Sequence, residues 1–340
     1  MVYKKYLSLL LSTILIFIFC FGAYGCSFKK ASKDSELKEI TLCEVAHSIF
    51  YAPQYVAIEK GYFEDEGIKI TLINGFGADK VMTSLISGDA DIGFMGSEAS
   101  IYVYAEKSKD TFVNFAGLTQ RAGNFLVSRE YSDTFEWDDL IGKTVLGGRA
   151  GGMPEMLFEY ILKKNDIDPK KDLTIIQNVD FGSTAAAFTE NVADYTIEFE
   201  PAATLLEQQN VGYVTASLGV ESGYVPYTAY CAKESFIKKY PEIIQGFTNA
   251  TQKGLDYVNS HSSEEIAAII APQFSETDIA TITTIVERYK SQDTWKKDTT
   301  FEEESYNLLI DILKSSGELT SDVPYNKLVD TTFSKKALKN

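Results

Sequence analysis

Short apolar runs with strand character alternate with amphipathic helical runs along this 340-residue chain, and that alternation constrains the fold more than any other feature. "EITLCEV" (39–45), "IKITLIN" (68–74) and "ADIGFM" (90–95) read as strands. Each is followed by a helical pattern: "APQYVAIEKGYF" stopping at Gly61, "ADKVMTSLISG" stopping at Gly88, and "SEASIYVYAEK" with Ser97 as its N-cap. "TFVNFAGLT" and "FLVSRE" are further strands. A second series begins near residue 140: "GKTVLGG", "DLTIIQNV", "DYTIEFE" and "GYVTASL" as strands, with "MPEMLFEYILKKN", "GSTAAAFTENV" and "PAATLLEQQN" as the helices between them. Such alternation predicts right-handed βαβ units and a mostly parallel sheet. After the strand-like "YTAYCAKESF", helical patterns at 234–256, 263–271, 275–290 and 301–316 fill the tail. The simplest layout is two α/β lobes with the chain crossing between them twice, at 119–127 and 221–230, where Gly flanked by apolar residues suits a hinge. The expected boundaries are 39–123 with 225–340 for the first lobe and 124–224 for the second.

The N-terminus says where such a protein works. Lys4 and Lys5 precede an almost uncharged run from Tyr6 to Tyr24, and Ala23-Tyr24-Gly25 offers small residues before Cys26. This resembles a bacterial lipoprotein signal: 1–25 is the signal peptide, Cys26 the lipidated residue, and the polar 26–38 a tether. The other reading is an uncleaved membrane anchor, and both place the body outside the cytoplasmic membrane. Removing 1–25 takes away only Lys4 and Lys5, so the formal charge moves from −16 to −18, which excludes non-specific nucleic-acid or anionic-membrane binding. Cys43 and Cys231 are the only other cysteines of the mature body; they either pair or remain buried thiols. With no Cys-x-x-Cys and two well-separated histidines, no metal site is expected.

Ligands of open α/β sheets sit beyond the carboxyl ends of the strands. Those ends carry Phe50 and Tyr51, Phe76, Ser97 and Glu98, Arg121 and Asn124, Arg149, Phe181 and Glu200, with Gly recurring beside them; Tyr227 lies at the second crossing. Core packing, turns and helix caps are the competing uses of the same residue types. Neither a Ser-His-Asp set, a G-x-S-x-G elbow nor a phosphate-binding P-loop can be assembled, so no catalytic residues and no cofactor are assigned.

"FYAPQYVAIEKGYFEDEGIKI", "GADKVMTSLISGDADIGFMG", "FEPAATLL" and "VPYNKLVDTTFSKKAL" resemble the NMT1/THI5-like, SsuA/TauA-like group of ABC-transporter solute-binding proteins, over about residues 40–337. The resemblance implies a periplasmic-binding-protein type II fold, two α/β lobes with a ligand cleft between them. It also implies delivery of a small molecule to an ABC permease and its ATPase. The group binds alkanesulfonates, nitrate, thiamine-pyrimidine precursors and riboflavin. It is also similar to a pyrimidine synthase that uses iron, a histidine and a pyridoxal-linked lysine; this chain has Tyr51 where that histidine aligns.

Glu98 and Glu155 occupy helix starts where a small anion would want free N–H groups, while aromatic residues abound at the strand ends. A flat N-heterocycle stacked on those rings, with Glu200 or Glu98 accepting from its amine, is therefore the expected ligand. An organic anion held by Arg121 and Arg149 is the alternative, and a ligand-sensing lipoprotein or a synthase-like enzyme are the alternatives of other classes. A lipid-anchored monomer is expected.

Overall fold

The computed structural model describes residues 37–107, 110–179 and 181–339; the signal peptide, Cys26 and the tether up to residue 36 lie outside the described residues. Lys38, expected to end the tether, already begins the first strand. Among the described residues no helix is long and apolar enough to cross a membrane.

The first series forms β1 (Lys38–Glu44), α1 (Ala52–Glu59), β2 (Ile68–Asn74), α2 (Ala78–Ser87), β3 (Ile92–Gly96), α3 (Glu98–Ala105) and β4 (Phe112–Thr119). The second forms β5 (Phe125–Ser128), β6 (Thr144–Leu146), α4 (Met153–Lys164), β7 (Thr174–Ile176), α5 (Phe181–Thr189), β8 (Tyr195–Glu198), α6 (Ala202–Gln208) and β9 (Tyr213–Ser217). After β10 (Thr228–Lys233) come the tail helices α7 (Pro241–Ser260), α8 (Ser263–Ile270), α9 (Ile279–Ser291) and α10 (Glu303–Ser316). Local chemistry accounts for these ends. α2 buries Val81, Met82 and Leu85 on one face and stops at Gly88, which adopts a left-handed φ of 88°. α8 starts in a capping box between Ser262 and Glu265. The helix expected over 234–256 is broken because Pro241 cannot continue it and holds Tyr240 out of helical geometry, so a short helix precedes α7.

The ten strands form two five-stranded sheets, ordered β2-β1-β3-β10-β4 and β7-β6-β8-β5-β9. The sheets are mostly parallel, as expected, with one antiparallel strand in each. β10 runs antiparallel to β3 and β4, and β5 runs antiparallel to β8 and β9. Both are the first strand the chain makes on reaching the sheet from the other one, so each enters from the facing end and runs against its neighbours.

The sheets are joined by residues 120–124 and 218–227, and these segments touch. Leu218 N–H donates to the Asn124 carbonyl at 3.1 Å, and Val225 N–H to the Gln120 carbonyl at 3.0 Å. A Cβ on Gly219 would lie 2.3 Å from the Ala122 carbonyl oxygen, so only glycine permits this approach. The tail returns across the same place. The Tyr289 hydroxyl donates to the Gly123 carbonyl at 3.1 Å, Gln292 Nε2 to the Ala122 carbonyl at 3.1 Å, and Gln120 N–H to the Thr294 carbonyl at 2.9 Å.

Cys43 and Cys231 are both buried and free. Each is registered against Gly93 of β3, one from β1 and one from β10, so a whole strand lies between them. Two inter-strand steps are about 9–10 Å, beyond the roughly 7 Å limit for a disulfide.

Candidate ligand-binding junction

The turn after β1 builds the first wall. Ser48 Oγ accepts the Phe50 N–H at 3.3 Å and starts a single 3₁₀ turn, Ile49–Tyr51, which directs Phe50 and Tyr51 inward. The Phe50 ring lies 5.1 Å from Tyr51, 5.2 Å from Tyr289, 5.7 Å from Tyr227 and 6.1 Å from Phe199. Tyr51 stands edge-on to Phe94 at 4.5 Å. The Trp295 indole N–H donates to the Phe50 carbonyl at 2.8 Å and closes the back of the cluster. Rings from the first sheet, the second sheet, the returning crossing and a tail helix thus meet where the strand ends of the two sheets converge.

Two polar groups border this cluster, each with one atom that has no hydrogen-bond partner among the described residues. Glu98, at the start of α3, is 5% exposed, and its Oε2 is buried with no hydrogen bond. Its carboxylate folds back over Gly96, where a Cβ would lie 2.1 Å from that oxygen. Burial pushes Glu98 up to about 7, against the opposing pull of its own backbone N–H and of Arg149. Asn124 is fully buried; its Oδ1 accepts the Tyr227 hydroxyl at 2.7 Å, and its Nδ2 has no partner. Both groups border Tyr227. Ser97, one residue before Glu98, donates to the carbonyl of Pro226, one residue before Tyr227, and the Glu98 charge acts on the Tyr227 hydroxyl.

The remaining expected residues are placed differently. Glu200, expected to accept from a ligand amine, is 2% exposed and already occupied on both oxygens: Thr204 N–H at 2.9 Å, Thr204 Oγ1 at 3.0 Å, and the Arg288 guanidinium. Arg288 also reaches Glu207, so this carboxylate ties the β8–α6 turn to α9. Ser97 is not a side-chain cap, because its hydroxyl is turned to Pro226. Phe76 is 76% exposed, on a loop with φ 54° held by Asn74, and is absent from the ring cluster. Arg121 lies over the Tyr224 ring at 4.2 Å and donates to the Gly219 carbonyl at 2.9 Å. Arg149, from the loop after β6, pairs at 3.4 Å with Asp79 of α2, and both side chains are more than half exposed. The Phe181 side chain lies outside the described residues. Phe50, Tyr51, Ser97, Glu98, Asn124 and Tyr227 are therefore the expected residues that the fold brings together.

Sequence reasoning missed Tyr289, Trp295 and Arg288, which come from the tail and carry no local signal of a return to residue 50. It also missed the support beneath Tyr51. Buried Glu44 accepts from His47 Nδ1 at 2.7 Å, Gln54 Nε2 at 2.8 Å and the Tyr55 hydroxyl at 2.8 Å. A charged residue inside the apolar "EITLCEV" run, with His three positions on, was the available clue. His47 Nε2 reaches the Gln273 carbonyl at 2.9 Å, and the imidazole pKa is raised above its ordinary value, first by the hydrogen bond to Glu44.

Two α/β layers, twice crossed and sharing an aromatic junction, define a periplasmic-binding-protein fold. The periplasmic nitrate-binding protein NrtA of Synechocystis PCC 6803 shares it, with a TM-score of 0.73 at 15% identity over 89% of each chain. The chain belongs to the NMT1/THI5-like family, whose model matches residues 49–265. It is 45% identical to YtlA of Bacillus subtilis, a protein named for binding, over 319 residues covering 93% of this chain and 96% of that one. It is 25% identical, over 221 residues, to the 4-amino-5-hydroxymethyl-2-methylpyrimidine phosphate synthase of Aspergillus parasiticus, covering 62% of this chain and 63% of that one.

Proposed function

We propose that this chain is the extracytoplasmic solute-binding component of an ABC importer. It captures a small flat N-heterocycle at the aromatic junction and delivers it unaltered to a permease. Family membership and the 45% identity to YtlA support the binding role. The observation that carries the ligand class is a buried ring cluster bordered by an unpartnered carboxylate oxygen and an unpartnered amide nitrogen, an environment suited to a stacked heteroaromatic with polar edges. An anion has less support: Arg149 pairs with Asp79, and Arg121 donates through one terminal nitrogen to the Gly219 carbonyl and lies over the Tyr224 ring, which leaves only its buried Nε without a partner among the described residues.

The residues of the junction are buried, so a ligand reaches them when lobe 39–123 with 225–340 swings away from lobe 124–224, and closing then covers both of its faces. The crossings at 120–124 and 218–227 are the natural hinge. Cys26 carries the lipid that holds the monomer at the outer face of the cell membrane; metabolic labelling with a fatty acid, lost in Cys26→Ala, is the expected result.

Calorimetry with 4-amino-5-hydroxymethyl-2-methylpyrimidine, riboflavin, taurine and nitrate tests the function. Saturable binding of a heterocycle, recovered unchanged after release, is expected. Conversion of the compound into a product, or saturable binding of taurine or nitrate alone, overturns the respective part of the proposal.

A further inference from the structure

We infer that Glu98 and Asn124 form the specificity pair of this site, reading a ligand edge on which an N–H donor stands beside a lone-pair acceptor and turning oxyanions away. The inference rests on the heterocycle reading above and adds which atoms make the choice.

A buried acceptor or donor with no partner costs about 1–3 kcal/mol, so folded chains keep few of them. Glu98 Oε2 and Asn124 Nδ2 are two such atoms, and they are opposite in kind: the first only accepts while ionised, the second only donates. Both are held in place. Glu98 is pinned by the missing Cβ at Gly96, which leaves room for its carboxylate over the strand end. Asn124 Oδ1 accepts the Tyr227 hydroxyl, which leaves Nδ2 as the free end. The Tyr227 ring lies between the two attachments and, with Phe50 and Tyr51, supplies flat surface beside them.

A carboxylate that accepts and an amide that donates complement an aminopyrimidine-type edge, where an exocyclic amine sits next to a ring nitrogen. The same pair disfavours sulfonate or nitrate, which present acceptors only and would face the Glu98 carboxylate with like charge. Glu200 cannot make this choice, because Arg288 and Thr204 hold both of its oxygens.

The test compares 4-amino-5-hydroxymethyl-2-methylpyrimidine with its analogue lacking the 4-amino group, with taurine and nitrate as controls, by titration calorimetry. The wild-type chain is expected to prefer the amine at least tenfold and to bind neither control. Glu98→Met, which keeps the volume but removes the acceptor, is expected to bind both pyrimidines within about twofold of each other. Asn124→Asp, which removes the donor, is expected to weaken both at least tenfold. Thermal unfolding checks that each variant is folded, and the comparison of the two pyrimidines on wild-type protein needs no variant. Equal affinity of the wild-type chain for both pyrimidines, or a preference that survives Glu98→Met, overturns the pair and leaves the heterocycle reading standing. Preference of the wild-type chain for taurine or nitrate overturns the pair and the heterocycle reading together; failure to bind either pyrimidine overturns the pair, and the heterocycle reading falls with it only where riboflavin also fails to bind.

Discussion

Gly96 shows how one missing side chain positions a carboxylate. The oxygen of Glu98 lies where the Gly96 Cβ would stand, and the displaced group would be the end of a flexible side chain rather than backbone. Gly96→Ala should therefore move the carboxylate while changing the melting temperature by no more than a few degrees, and should weaken ligand binding at least tenfold by calorimetry. Unchanged affinity in a folded variant would show that the carboxylate is not needed where it lies. Cys43 and Cys231 yield a second residue-scale expectation, because β3 separates them and burial pushes both thiols up. A chain beginning at Leu37 should show no thiol reaction with Ellman's reagent when native and two thiols when unfolded, with a melting temperature indifferent to reductant.

At the scale of elements, α9 links the two layers. Arg288 neutralises Glu200, whose side chain has no exposure, and extends to Glu207 on α6. Gln208 of α6 also donates to Thr281 of α9 at 2.9 Å. Removing one partner of a buried pair leaves an uncompensated charge, so Arg288→Ala should cost about 3–5 kcal/mol in urea unfolding. The double variant Glu200→Gln with Arg288→Met should recover most of that loss, since the stranded charge is gone. A loss below about 1 kcal/mol for Arg288→Ala would mark the pair as an ordinary surface contact.

For the whole molecule, buried acids set the pH dependence. Burial raises Glu98 and Glu198 to about 7 and shifts Glu155 the same way. A carboxyl whose folded value exceeds its unfolded value near 4.5 contributes stability present below that value and lost as pH rises through about 7. His47 acts in the same sense: its folded value is raised above 6.5, so its contribution is complete below 6.5 and lost at higher pH. The depressed acids Glu39, Asp168, Glu264, Asp278 and Asp322 are exposed and act at lower pH, so they do not offset this window. The urea midpoint should accordingly be higher at pH 5 than at pH 8, with the difference reduced in Glu98→Gln and in His47→Gln. A midpoint that rises over this interval would contradict the assignment. The formal charge of −16 adds self-repulsion as the remaining carboxyls ionise, which works in the same direction.

The order of strands and helices was legible in the chain because each element carries its own signal: apolar alternation in β1, one buried face and a closing Gly88 in α2, a capping box before α8. The aromatic turn at Phe50 and Tyr51 was legible for the same reason, as was Glu98 at a strand end. Strand direction was not, since β5 and β10 look like any other apolar strand and run backwards only because of where the chain re-enters each sheet. Nor was the occupancy of Glu200, whose partner Arg288 lies 88 positions away. Local periodicity and turn chemistry depend on neighbours within a few residues, so sequence alone determined the elements and the candidate strand ends. Which rings meet, which carboxylate is neutralised and which stays unpartnered depend on contacts between segments far apart in the chain, and only the tertiary structure decided them.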